Sequence, residues 1–385
     1  MRATFASSKD PTTRVAASQL SQQLGAPDSG GPSALIVFAG PNYDHASLLD
    51  SLASSFPSSV IVGSSSAGEF AEGEVSEGVV CLGLSGEDVD FQAAVGTGLR
   101  ADVSQAAKLI VSKFKGSNQR RRAFRSALVL TDALAGHASG LVDELTLATG
   151  GQYAFFGGGA GDNARFAKTT VFYGREVLSD AAVALEILSD KPIGIGAVHG
   201  WEPASQAMRV TETLGVSIVS IDGFPARDAF ERHAAETHQH LNLDEPIPFF
   251  LHNVLGIRSS AGHHLRVPLA FERNGAVICA SEVPTGSIVQ IMRSTNPSAV
   301  EAAKGAARSA MIALGGCRAE AGLFFDCVAT RLRLGDHFGK ELDAVKDALP
   351  SIPFTGCNTH GQIVRAEGQF NGFHNCTAVV CLFPA

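Results

Sequence analysis

Gly63-Ser-Ser-Ser-Ala-Gly68-Glu69-Phe70 and Gly356-Cys-Asn-Thr-His-Gly361-Gln362-Ile363 are two copies of one pattern near opposite ends of a 385-residue chain. The shared order is glycine, two residues, Ser or Thr, one residue, glycine, Glu or Gln, then an apolar residue. Working outward, each copy follows an apolar strand (35–38; 323–325), a helix-like stretch (47–54; 340–349), a proline and a second strand ending at the glycine. Downstream both copies reach the same letters, Val79-Val-Cys-Leu82 and Val379-Val-Cys-Leu382. A looser third copy runs through 127–130, 140–148, 153–156, Gly157-Gly-Gly-Ala-Gly161-Asp162 and a closing strand at 182–188. The unit is strand, helix, strand, glycine loop, strand. Its last two strands are joined without a helix, which predicts mixed sheets with helices on their faces, an α/β (α+β) class.

The pattern breaks near Gly200 to Gly215, where Trp201-Glu-Pro203 intervenes. This gives an N-terminal helix (11–24) and linker over 1–29, a first lobe over 30–205 and a second over 206–385. The lobes are related and each holds mixed sheets. A hydrophobic content of 45% can fill more than one core, and 41 glycines against 3 Tyr and 1 Trp favour tight turns over aromatic-lined surfaces.

A net charge of -8 gives no reason to approach nucleic acid or anionic lipid. The local basic run Arg120, Arg121, Arg122 and Arg125 reads as a solvated linker. The 7 cysteines show no CxxC pair and sit mostly in apolar runs, as reduced core residues do. With no secretory apolar stretch and no membrane-length run, the expected location is cytoplasmic.

Three glycine loops with polar neighbours suggest a shared ligand cleft, because backbone N–H groups approach a ligand closely where no Cβ intervenes. The candidate ligand-binding residues are Ser64, Ser65, Ser66, Gly68, Asp132, Gly158, Asp162, Asn358, Thr359, His360, His374 and Asn375. A single glycine loop would more simply be a tight turn. No dinucleotide fingerprint, GxxxxGKS/T loop or GxSxG elbow is present, so no catalytic residue is assigned. Asp132, Asp162, His360 and His374 form the alternative acid–base set of a hydrolase- or lyase-like enzyme, and a non-catalytic adaptor is a third reading. His233, Glu236 and His240 would share a helical face but read as exposed polarity rather than a metal site, and His263-His264 reads as a polar turn.

Segment 60–70, Thr131-Asp132, segment 155–162, His199-Gly-Trp201, Asp222-Gly-Phe-Pro225, Phe325-Asp-Cys327, segment 354–363 and segment 373–380 together resemble FIST proteins, which pair FIST N and FIST C domains. The resemblance implies an intracellular sensory domain of signal transduction that binds a small ligand. It also implies haem as a candidate cofactor and nitric oxide as a candidate signal, with a histidine kinase or a cyclic-di-nucleotide enzyme as partner. Haem would be non-covalent, with His360 and His374 ranked above His252 and His199 as axial donors. Cys376 stands where the family often has glutamine, and Thr330-Arg331 where an arginine follows the Phe-Asp-Cys turn more closely.

Overall fold

The computed structural model of the protein describes residues 1–25, 31–71, 73–117, 122–260, 262–369 and 372–385. Residues 26–30 of the expected linker, and Arg120 and Arg121 of the basic run, lie outside these. The described residues form four sheets, three of which are built to one plan.

The first unit runs strand Arg2–Ser8, helix Thr13–Leu24, strand Ala34–Ala39, helix His45–Ser55, strand Val60–Ser65, a hairpin (Glu69–Ala71 and Glu74–Ser76) and strand Val79–Ser85. The second repeats it: Val89–Thr97, helix Val103–Val111, Phe124–Thr131, helix Ala138–Ala148, Ala154–Gly159, hairpin Val171–Tyr173 and Glu176–Leu178, then Ala181–Ser189. In the third, strand Gly194–Val198 is separated from helix Asn296–Ala313 by an inserted lobe. The unit then continues as Ala319–Cys327, helices Val328–Leu334 and Gly339–Ala348, Phe354–Thr359, hairpin Gln362–Arg365 and Gly372–His374, and Ala378–Pro384. The mixed α/β class and the strand–helix–strand–glycine loop–strand unit are therefore as the sequence led us to expect. The strand Arg2–Ser8 lies inside the stretch expected to be only helix and linker.

Within each unit the two helix-linked strands are parallel and the closing strand lies antiparallel beside the earlier of them. The hairpins do not stay at home. That of the first unit pairs with Phe354–Thr359 of the third, that of the second with Val60–Ser65 of the first, and that of the third with Ala154–Gly159 of the second. The exchange closes a ring of three.

The glycine motif is the physical basis of the exchange. Gly63, Gly157 and Gly356 stand opposite Val37, Val129 and Phe324 on the parallel neighbour. On the other side they face Phe172, Ile363 and Phe70 of the incoming hairpin. A Cβ at any of the three would drive into the carbonyl oxygen of that parallel partner. Glycine is thus required where a strand is approached closely on both sides, and the apolar residue that ends each main motif fills the space over another unit's glycine.

The inner faces of the three sheets bury one core, including Ile36, Phe38, Leu128, Leu130, Leu323 and Phe325, with Phe38 and Phe325 edge to face at 5.7 Å. Helices cover the outer faces. The inserted lobe carries a nine-stranded sheet and helices Ala226–Glu236 and Ile247–Phe250. Its ends meet at Gly200, whose carbonyl accepts from Ser298 Oγ at 2.8 Å. Arg266 latches it down by donating to the carbonyl of Phe373 at 2.9 Å and to Ser139 Oγ at 3.1 Å.

Two local expectations are corrected here. Helix Ala226–Glu236 ends before His240, and His233 is buried against Asn253 Oδ1 at 3.1 Å, so that cluster is neither one helical face nor uniformly exposed. His263 and His264 lie in strand Gly262–Arg266, not in a turn. Of the basic run, Arg122 is held by Asp90 and Asp190.

Candidate functional site

The parallel strands of the three units end on one side, and the loops that follow meet there. Gly161 N–H donates to the Ser65 carbonyl at 2.9 Å, Ala67 N–H to that of Asn358 at 2.9 Å, and His360 N–H to that of Gly159 at 3.0 Å. Ligands of open α/β sheets lie in crevices beyond the carboxyl ends of strands, because loop amides and side chains converge there.

Much of the polarity in these loops is consumed internally. Ser66 Oγ donates to Glu69, whose other oxygen accepts from Gly78 N–H at 2.8 Å. Asp132 accepts from Thr169 Oγ1 and from the amides of Asp180 at 2.6 Å and Leu134 at 3.1 Å. Thr359 Oγ1 is tied to the Asp326 carbonyl and to Gln362, while Gly158 pairs with Gln362 across the exchanged hairpin. Asn375 holds the inserted lobe through Val267 N–H at 3.2 Å, and His374 stacks on His264 at 4.9 Å. Ser64 Oγ and both Oδ1 and Nδ2 of Asn358 are buried with no hydrogen-bond partner.

Asp162 and His360 are brought together. Asp162 accepts from the amides of Phe166, Ala167 and Lys168 at 3.0, 2.7 and 3.0 Å, and His360 Nε2 lies 3.5 Å from its Oδ1. Burial raises the Asp162 carboxyl, but those amides and His360 outweigh it and hold the group below its ordinary value. His360 is pushed down to about 4 by burial, against the pull of Asp162, and its ring stacks under Phe166 at 4.7 Å. Asn163, Ala164 and Phe166 have φ of 56°, 58° and 51°, left-handed backbone that non-glycine residues adopt at a cost. The amide cradle around Asp162 holds loop 162–168 in this shape.

On the outer side of that loop lies a crevice of about 400 Å³ lined by Tyr43, His45, Ser65, Asp162, Arg165, Lys168 and Thr170, among others. A smaller one of about 160 Å³ continues past Tyr43 to Gly68, Glu69 and Asn163. Among the twelve residues singled out from sequence, Ser65 and Asp162 line the first and Gly68 the second. Tyr43, His45, Arg165, Lys168 and Thr170 were missed. A usable signal existed for the first two, since loop 40–44 leaves the carboxyl end of an apolar strand and leads directly into a helix. The four acid–base candidates divide: Asp162 and His360 are in contact, whereas Asp132 and His374 are held by other partners. Among the described residues no group of three or more His, Cys, Asp or Glu could hold a metal ion.

Glu69 makes the site region sensitive to pH. Burial raises its carboxyl to about 7 despite the Ser66 and Gly78 hydrogen bonds. Between its ordinary 4.5 and 7 the folded chain keeps a proton that the unfolded chain has released. Its stabilising share is therefore full below pH 4.5 and lost as pH rises through 7. His360 acts oppositely, its share being present above pH 6.5 and lost as pH falls through 4. Urea titrations from pH 5 to pH 8 should show Glu69→Gln removing up to roughly 3 kcal/mol of the wild-type decline. Glu341, also raised to about 7 by burial, leaves a residual slope of the same sign. An unchanged slope in Glu69→Gln would show that Glu69 is ionised in the fold.

A FIST N domain model matches residues 33–223 and a FIST C domain model matches residues 231–365. No curated protein matches the chain. The first match takes in the helix-linked strands and hairpins of units one and two, and the second takes in most of the inserted lobe and the third unit as far as its hairpin. The chain belongs to the FIST family, whose domains are sensory domains of signal transduction.

Proposed function

We propose that this FIST protein senses a small polar ligand held in the crevice between loop 40–46 and loop 162–170. The observation that carries the reading is the double role of Asp162, which lines the crevice on one side and contacts His360 of the third unit on the other. A ligand that competes for Asp162 or for the amides around it changes the balance that keeps loop 162–168 in its left-handed shape. The change reaches His360 and with it the third unit, so occupancy becomes a difference in conformation that a partner can read. Arg165, Lys168 and His45 offer donors to an anionic or hydrogen-bonding group, and Tyr43 and Val177 supply apolar wall.

Haem, which the family resemblance implied, fits poorly. His374 is buried with its ring against His264, and His360 presents Nε2 to Asp162 while Phe166 covers its face. Neither ring lines either crevice described above, as an axial donor would have to. A histidine kinase or a cyclic-di-nucleotide enzyme in the cytoplasm remains the proposed output. No helix among the described residues is long and apolar enough to cross a membrane. An enzyme reading would rest on Asp162 and His360 alone, without the other two acid–base candidates.

Thermal-shift screening of the full chain against small carboxylates, phosphates and polar metabolites, with haem included, tests the reading. A compound at a hundred times its dissociation constant should stabilise the wild type by about 2.7 kcal/mol. That shift should vanish in Lys168→Glu while its unliganded melting stays close to wild type, and also in Ser65→Val, whose unliganded melting falls because the buried Thr170 N–H loses its acceptor. A haem complex with an axial histidine band, or a stabilising compound indifferent to both variants, would overturn the site.

A further inference from the structure

Histidines gather away from the crevice, where the inserted lobe docks on the ring of three units. The chain crosses between ring and lobe twice, at 199–201 and at 294–298, and the two crossings touch. Trp201 pairs with Ser294, and the Gly200 carbonyl accepts from Ser298 Oγ. A lobe joined through two adjacent crossings can turn about them, so its resting position depends on contacts made beyond them. Those contacts run between strand Gly262–Arg266 of the lobe and strand Gly372–His374 with the turn that follows it. Arg266 reaches the Phe373 carbonyl, and Asn375 N–H donates to that of Leu265 at 3.3 Å. The His264 and His374 rings stack at 4.9 Å with 15° between their planes. Strand alternation sets His264 and Arg266 on one side of their strand.

His199 stands at the first crossing with both ring nitrogens engaged. The Trp201 N–H can only donate, so Nδ1 of His199, 3.3 Å away, accepts and carries no proton. Nε2 then holds the ring proton and donates to the His263 carbonyl of the lobe at 3.0 Å. A second proton has to enter at Nδ1, where it faces the Trp201 N–H and breaks that bond. The stack is limited in the same way, since two imidazolium rings in contact repel. The buried guanidinium of Arg266 is a fixed positive charge beside them.

The neighbouring charges leave that balance in place. On the lobe, Arg258 lies opposite His263 and Arg333 of the third unit sits 5.4 Å over the Trp201 ring, while Glu202 lies opposite Arg293. Glu282 accepts from Ser281 Oγ at 2.9 Å and stands 3.5 Å from Nδ1 of half-exposed His137, an ion pair that acid strengthens but that is worth little in solvent. On the ring, helix Ala138–Ala148 carries Asp143, which is exposed, and Glu144, which accepts from Ser104 Oγ at 2.8 Å. Helix Asn296–Ala313 carries Lys304 and Glu301, the latter paired with Arg308 at 3.3 Å. The thiols of Cys279, Cys327 and Cys376 are buried. Burial holds the His199 and His264 imidazoles below their ordinary 6.5, and Arg266 adds to the effect at His264. Their stabilising share is therefore present above pH 6.5 and lost as pH falls below it.

We propose that this junction is a pH-sensitive latch, in which protonation of His199 and of the His264–His374 stack by solvent undocks the inserted lobe. The lobe then turns on its two crossings and bares the apolar cluster that Trp201, Leu265 and Val267 form with Ala329 and Cys376. The latch acts on the position of the lobe and does not depend on what the crevice binds.

Trp201 is the chain's single tryptophan, 7% exposed within that cluster, so its fluorescence reports the junction directly. The experiment takes the full chain from pH 7.5 to pH 5.0 and measures acrylamide quenching of Trp201, corrected for its lifetime, with far-UV circular dichroism alongside. The quenching constant should rise several-fold toward pH 5.0 while the dichroism holds, and should fall again on return to pH 7.5. His264→Phe keeps a ring on His374 without a titrating group, and His199→Gln keeps one acceptor and one donor. The two together should hold the constant at its pH 7.5 value down to pH 5.0. His264→Arg, with a permanent charge against Arg266, should show the raised constant already at pH 7.5. A wild-type constant indifferent to pH overturns the proposal, as does an equal rise in the double variant or loss of dichroism over the same range. The wild-type titration and His264→Arg decide the matter should the double variant fail to fold.

Discussion

Gly356→Ala should cost the protein about 3 kcal/mol or more, and Gly63→Ala and Gly157→Ala should cost similar amounts although the three positions lie in different units. At each, a new Cβ meets the carbonyl oxygen of the parallel neighbour, Phe324, Val37 or Val129, which is sheet backbone and cannot step aside. At Gly63 the Phe172 ring closes the other side. Overpacking of this kind costs about 1–3 kcal/mol in ordinary cores and more where backbone must move. Gly140→Ala is the control. That glycine lies in helix Ala138–Ala148 with its nearest outside atom 3.6 Å from a built Cβ, so alanine should be neutral or stabilising by up to about 1 kcal/mol. Chemical denaturation of the four variants measures this. Equal, small effects at all four sites would mean that the glycines do not mark the close approach between units.

The second large effect concerns cutting the chain. Residues 1–205 and 206–385, expressed apart, should each fail to give a cooperative melting transition, and co-expression should restore one. The 1–205 piece would lose the hairpin Gln362–Arg365 and Gly372–His374 from its second sheet, while its own first hairpin would have no strand to join. The 206–385 piece would lose strand Gly194–Val198 from beside Ala378–Pro384. Each cut exposes unpaired strand edges and halves a core that draws Phe38, Leu130 and Phe325 from three units. A sharp transition from residues 1–205 alone would contradict the interlocked arrangement.

The repeat was legible because its cause is local. A glycine recurs wherever a strand is crossed by a hairpin, and in two of the three units the same polar and apolar residues follow it at fixed spacing, so aligning segment 63–70 with segment 356–363 reveals the unit and its mixed sheet. Which hairpin crosses which strand was not legible, since Phe70, Phe172 and Ile363 carry no mark of their partner. The inserted lobe was read as part of a second lobe for a similar reason: strand 194–198 and helix 296–313 become neighbours only when the chain between them closes on itself.

Asp162 and His360, singled out because both stand in glycine loops, are in contact in the fold. Of the other loop candidates, Ser65 reaches the crevice, whereas Ser64 is turned into the core and Asn358 is set beside buried Asp326. Arg165 and Lys168 belong to no motif in the sequence. Their place in the crevice depends on the three amides that fold loop 162–168 around Asp162, a tertiary arrangement with no periodic trace.

Hydrogen–deuterium exchange of the full chain, with and without a stabilising compound from the screen, tests the central claim most directly. Added protection should appear in peptides covering 40–46 and 162–170, with a smaller change at 358–361 where His360 receives the signal. Protection confined to other regions, with those two loops exchanging as before, would contradict a ligand site built on Asp162.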